Sequence, residues 1–166
     1  LGLAYLSAGA LQANHYMKKF GISQKDCALV VVKNLKDAQN NPYAQVTREA
    51  TVDEVMDSPM WAYPIKEMDA APISDGACAV VLASRDKAKD FSKKSVWILG
   101  AGSCLDSHYL GDRDLAGGEA LIRASKKAYD MAGINNPLKE LDVAEVSAAF
   151  SYQELLWTEL LSFCGR

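Results

Sequence analysis

Ala77-Cys78-Ala79-Val80-Val81-Leu82-Ala83 and, after a short charged stretch, Val96-Trp97-Ile98-Leu99 decide the fold class. Both runs are continuously apolar rather than alternating, which is the pattern of strands buried on both faces, so a parallel sheet is the natural host. Ser84 stands where it caps a helix over 84–91 between them, and Gly100 and Gly102 follow the second run. A β-α-β unit is expected.

Downstream, a polar connection over 106–114 leads to a helix with Leu121, Ile122, Ser125, Ala128, Tyr129 and Ala132 on one face, ended by Gly133. Residues 143–146 read as a third short strand. Ser151 and Glu154 predict a capping box for a last helix that buries Leu155, Leu156, Leu160 and Phe163. The order β-α-β-α-β-α argues a mostly parallel sheet with helices on its faces.

Upstream, Leu3, Leu6, Ala10, Ala13, Met17 and Phe20 place one apolar stripe on a helix that Gly21 ends. Ser23 and Asp26 resemble a capping box for a second helix, with Cys27, Val30, Val31, Asn34, Leu35 and Ala38 on its face. Asn40, Asn41 and Pro42 break it. Thr51 and Glu54 cap a short third helix, and Pro59 and Pro64 predict an irregular extended stretch with no strand of its own. A boundary is expected near residue 67.

The chain has 166 residues, of which 49% are hydrophobic and 23% charged, with net charge −3. That excludes the disordered class and gives no basic surface for nucleic acid. No apolar run approaches the roughly 20 residues that span a bilayer, and no basic segment leads into an apolar signal core. A cytoplasmic location is expected. Cys27, Cys78, Cys104 and Cys164 form no CxxC pair, and three of them lie in apolar stretches typical of buried free thiols. The start at Leu1 without methionine and the stop at Arg166 just past a helix give the expectation of an interior piece.

Residue chemistry taken alone specifies no enzyme. Gly100-Ala101-Gly102 after a strand lacks the third small residue of a dinucleotide-binding turn, because Leu105 stands there. Cys104 and His108 have a metal-like spacing but too few further ligands nearby. His15 reads as a packing or surface residue, and neither histidine has a visible orienting partner for nucleophilic catalysis. Asp112-Arg113-Asp114 reads as acidic capping ahead of a helix.

Several stretches in shared order resemble the thiolase family, in the branch similar to sterol-carrier-protein-type thiolases and archaeal acetyl-coenzyme A acetyltransferases. They are the run from His15 to Gly21, Val32-Lys33-Asn34, Asn41-Pro42-Tyr43-Ala44-Gln45 and Pro72-Ile73-Ser74-Asp75-Gly76-Ala77. Asp112-Arg113-Asp114, the helix end from Tyr129 to Gly133, and Asp142-Val143-Ala144-Glu145-Val146 before Ala149-Phe150-Ser151 complete the series. The resemblance implies an α/β fold, a five-layered α/β/α/β/α sandwich of two similar units. In it, residues 1–66 would be a helical loop domain lying over the active site. Residues 67–92 would end the first unit and 93–166 begin the second.

The same resemblance implies acyl transfer between coenzyme A thioesters by a cysteine thiolate and a base, with acetyl- and acetoacetyl-coenzyme A the expected substrates and no metal. The nucleophilic cysteine would lie before the matching part, and the histidine and second cysteine after it. The oxyanion motif, Asn-Glu-Ala-Phe or His-Asp-Ala-Phe in the family, falls on Ser147-Ala148-Ala149-Phe150. Ser147 donates one hydrogen bond from a shorter side chain, and loss of an oxyanion donor costs about 100-fold or more. Ala71 and Pro72 replace a Ser-Gly pair near the pantetheine arm, so Ala71, Pro72 and Phe150 are the implied substrate-binding residues. Implied partners are copies of the chain itself and hydroxymethylglutaryl-coenzyme A synthase, joined through a small zinc-ribbon OB-fold protein. The rival expectation, prompted by Ser147, is a non-catalytic thiolase-fold subunit that binds acyl chains or scaffolds other enzymes. Because strands near Val80, Ile98 and Val143 need neighbours on both sides, the chain alone is expected to expose unpaired edges.

Overall fold

The computed structural model describes residues 4–91 and 94–165. Leu3 of the first predicted stripe, Leu1, Arg166 and the 92/93 boundary lie outside the described residues. Helix α1 (Tyr5–Phe20) ends at Gly21, which takes φ 72° and returns its N–H to Met17. That positive φ is where glycine is favoured. Its buried face is Gly9, Ala10, Ala13 and Tyr16, rotated from the predicted stripe toward Tyr16. The reason is chemical, because the Tyr16 hydroxyl donates to Glu159 at 2.7 Å and lets a large ring be wholly buried.

Helix α2 (Gln24–Ala38) has the predicted capping box, with Ser23 N donating to Asp26 Oδ2 at 2.7 Å and Asp26 N to Ser23 Oγ at 3.2 Å. Helix α3 (Val52–Asp57) repeats it with Thr51 and Glu54. The stretch expected to hold no strand instead folds as an antiparallel hairpin, β1 (Met60–Ala62) and β2 (Ile65–Lys66), whose turn holds Tyr63-Pro64 as a cis peptide. Both prolines sit where no ladder donor is needed, and Glu67 N donates to Pro59 O at 2.8 Å. Ile65, 2% exposed, anchors the hairpin in the core.

Beyond residue 70 the three predicted helices form, with one further short helix, and the sheet does not. Helix α4 (Arg85–Phe91) starts after Ser84, α5 (Glu119–Ala132) ends at Gly133 with φ 75°, and a four-residue α6 (Pro137–Glu140) precedes α7 (Ser151–Leu160). Residues 77–83, 96–99 and 143–146 belong to no strand ladder, and among the described residues β1-β2 is the only sheet. Val81 is 92% exposed, Val96 95% and Val143 82%, so the expectation of strands buried on both faces is corrected. Runs of this kind are stable as strands only with a neighbour on each edge and cover on each face, and the described residues supply neither. Their unpaired state was the expectation for the chain alone.

The core joins α1, α2, β2 and α7, through Ala13, Tyr16, Cys27, Ile65, Tyr152 and Leu156. A second cluster of Ala28, Val31 and Val55 packs α3 on α2. Helix α7 begins at its predicted cap, Ser151, one residue earlier than expected. Phe150 occupies the cap position, and Gln153 rather than Glu154 accepts from its backbone N–H. Ser151 is thereby freed to donate to Asp69, while Glu154 reaches α2 and accepts from Asn34 at 2.7 Å and from Lys33.

Candidate functional site

Residues 70–71 and 149–150 meet as an isolated antiparallel bridge, Ala70 opposite Phe150, with Ala71 N donating to Ala149 O at 2.9 Å. Gln153 Oε1 accepts from Ala149 N at 2.9 Å and from Phe150 N at 3.2 Å, which fixes the turn into α7. Two of the implied substrate residues, Ala71 and Phe150, are therefore joined across 79 positions of sequence (150 − 71), and Pro72 adjoins them. Ala71 and Pro72 are exposed. Ser147 lies on the same segment three residues before Phe150, exposed, with no hydrogen-bond partner for its hydroxyl among the described residues.

Phe150 floors a groove of about 710 Å³ between the N-terminal half of α1 and the 104–118 connection. Its ring lies against Gly9, where a Cβ would fall 2.5 Å from the ring edge. Tyr5 stacks on the same ring with centroids 5.1 Å apart, and Tyr152 stacks at 6.2 Å. This geometry is in the favourable range for aromatic pairs. Tyr5, Gln12 and Gln153 line the groove beside Phe150.

Carboxylates hold the far wall. Asp106 accepts from Ala120 N at 3.3 Å and pairs with Arg113 at 3.4 Å, so it is Asp106 that caps α5. Asp114 instead ties the wall to α1, accepting from Lys19 at 2.7 Å and facing His15 at 3.4 Å. The Lys19 hydrogen bond holds the Asp114 carboxyl below the usual range. This corrects the reading of Asp112-Arg113-Asp114 as helix capping. Cys104 and His108 lie in a non-helical connection, so their spacing does not set them on one face.

Behind the bridge is a buried polar cluster. Asp69 accepts from Ser151 Oγ at 2.6 Å and from Lys66 N at 3.0 Å, and the Lys66 ammonium, 4% exposed, lies 3.9 Å from Asp69 with no hydrogen-bond partner among the described residues. Burial pushes the neighbouring Cys27 thiol up to about 12, with Asp69 adding to the rise. A thiol held protonated is no nucleophile. Of the four cysteines only Cys27 is buried, and Cys78 and Cys164 are exposed, which corrects the expectation for three buried thiols.

The groove-lining Tyr5, Gln12 and Gln153 were not singled out from sequence. Gln153 alone had a readable signal, an amide three residues into a helix that follows an apolar cap position.

No family model matches the chain. It is 34% identical over 166 residues to the acetyl-CoA acetyltransferase of Methanothermobacter thermautotrophicus, covering 99% of this chain and 43% of the relative. It is 31% identical to benzoylsuccinyl-CoA thiolase subunit BbsB of Thauera aromatica, covering 95% of this chain and 40% of that one. A solved structure, the Ltp2-ChsH2(DUF35) aldolase, superposes with TM-score 0.87 at 28% identity over 97% of this chain and 43% of its own. Over nearly its whole length the chain resembles thiolase-family proteins. It spans less than half the length of these relatives, and its fold is the thiolase-type α/β architecture in part, with the helical hairpin α1-α2 packed beside it.

Proposed function

We infer that the whole protein is a thiolase-type acyl-coenzyme A C-acyltransferase acting on short thioesters such as acetyl- and acetoacetyl-coenzyme A, and that this chain supplies one wall of its thioester site. The observation that carries the reading is the bridge of 70–71 to 149–150 at the edge of a groove floored by Phe150. It unites two stretches that the family resemblance assigned independently to the substrate. The chemistry needs a cysteine thiolate and a base, and none of Cys27, Cys78, Cys104 and Cys164 stands at a family nucleophile motif. Those groups would come from the rest of the protein. Homo-oligomerisation and association with hydroxymethylglutaryl-coenzyme A synthase through a zinc-ribbon OB-fold protein are parts of the same reading, as is a cytoplasmic site of action.

A thiolysis assay on the full-length protein tests it. Coenzyme A-dependent cleavage of acetoacetyl-coenzyme A is expected, and its absence from a properly folded sample overturns the reading. Ser147 and Ala148 favour a second one, a non-catalytic subunit, since an exposed serine hydroxyl replaces the family's longer donor. Ser147→Asn or Ser147→His separates the two. A weakened enzyme gains about 100-fold with a restored donor, whereas a scaffold gains nothing.

A further inference from the structure

We infer that Asp69 and Ser151 are positioning residues for the thioester reaction, because their buried hydrogen bond fixes the register between the two implied substrate segments and with it the place of the Ser147 donor. This rests on the thioester reading and adds to it two residues that the family resemblance did not supply. Three cross-chain pairs follow one another. Ser151 Oγ donates to Asp69 Oδ1 at 2.6 Å, Ala70 faces Phe150 in the antiparallel bridge, and Ala71 N donates to Ala149 O at 2.9 Å. Pro72 lies one residue beyond the last pair on one segment, and Ser147 two residues beyond it on the other. The hydroxyl–carboxylate bond therefore closes the end of the ladder that is away from those residues.

So short a ladder needs a clamp, since one bridge and one backbone hydrogen bond are marginal as a strand pair. Asp69 and Ser151 are 7% and 8% exposed, and a hydroxyl donating to a carboxylate makes a short bond about twice as strong as a neutral one. Both partners are themselves held. Asp69 Oδ2 accepts from Lys66 N at 3.0 Å, which ties it to the turn over 67–69, and Ser151 opens α7 directly after Phe150. Gln153 fixes the same segment from within α7, accepting from Ala149 N and Phe150 N while its side chain hydrogen-bonds the buried Tyr152 hydroxyl. Stability alone does not call for a carboxylate at position 69. The Lys66 ammonium stands 3.9 Å away without a hydrogen bond among the described residues, and a well-packed apolar pair serves a purely structural role as well as a buried charge pair or better. What an apolar pair lacks is direction. A slip of one residue would turn the side chains of 147–149 to the opposite face, and a directional bond between 69 and 151 opposes that slip.

The test uses the full-length protein and Ser151→Ala, which removes the donor and leaves Asp69 its contacts with Lys66. In acetoacetyl-coenzyme A thiolysis kcat is expected to fall about tenfold with KM changed by less than about twofold, because a displaced oxyanion donor acts on the transition state while the remainder of coenzyme A binds as before. Thr51→Ala removes the α3 cap, a loss of stability away from the bridge, and should keep kcat within about twofold of the unsubstituted protein. Hydrogen exchange read by mass spectrometry is independent of turnover. Peptides spanning 70–72 and 149–152 should exchange about tenfold faster in Ser151→Ala, and peptides of α2 and α3 at the unsubstituted rate. An unchanged kcat, an equal loss in Thr51→Ala, or unchanged exchange at the bridge overturns the positioning role and leaves the thioester reading standing. A full-length protein that cleaves no acetoacetyl-coenzyme A overturns the thioester reading, and the positioning role with it.

Discussion

Cys27 sits behind the bridge with a thiol pushed up to about 12 from an ordinary 9.0, mainly by burial. Below pH 9 the folded and unfolded chains both carry its proton, so the group adds no pH dependence there. Between about 9 and 12 the unfolded chain ionises and the folded one does not, so stability is lost across that window as pH rises. Thermal melts of the full-length protein should therefore fall more steeply from pH 9 to 11 than those of Cys27→Ala. Parallel slopes would remove Cys27 as the cause. Asp69 gives a sharper test of the same cluster. It is the nearest counter-charge to the buried Lys66 ammonium and also the acceptor for Ser151. Asp69→Ala strands that ammonium and should cost about 3–5 kcal/mol in urea unfolding, whereas Lys66→Met combined with Asp69→Asn should recover most of the loss. A double variant as unstable as the single one would show that the charge pair is not the source.

At the scale of elements, the segment 95–103 crosses α5 so closely that a Cβ on Gly100 would overlap the Ala128 carbonyl oxygen and one on Gly102 the Ala124 oxygen. The obstacle is backbone, which cannot rotate away. Gly102→Ala should destabilise by about 1–3 kcal/mol or more, while Gly76→Ala, with nothing within 4 Å, should stay within about 0.5 kcal/mol. Denaturant midpoints compare the two, and similar shifts would contradict the close approach. These glycines also show how far sequence reading reaches. The helix that they approach could not be read locally, since α5 lies some twenty residues away. Helix starts were legible wherever a cap is local, as at Ser23 and Thr51. The start of α7 was misplaced because Gln153 and Glu154 are both suitable acceptors, and only Asp69 claiming Ser151 and α2 claiming Glu154 decides between them. Hairpin β1-β2 was missed because two prolines mask its pattern. The groove was missed because Tyr5, Gln12 and Gln153 converge on Phe150 from distant positions, with only Gln153 carrying a local signal.

For the whole molecule the decisive quantity is surface. A folded monomer of 18.0 kDa exposes roughly 8,000 Å². This chain exposes 12033 Å². The excess is concentrated where apolar side chains face outward from unpaired backbone, as at Val80, Val81, Leu82, Val96, Ile98 and Val143. Such segments combine free ladder groups with β-branched side chains, the combination that templates pairing with another chain. Residues 1–166 produced alone should therefore elute above monomer mass in light-scattering chromatography and bind a hydrophobic dye. The full-length protein should bind far less dye per mole. Val81→Lys together with Ile98→Lys should lower the apparent mass of the isolated chain, because a charge on each segment opposes edge-to-edge pairing. A monomeric isolated chain that melts cooperatively would mean that these segments need no neighbours, and the larger layered fold in which they find them would lose its physical basis.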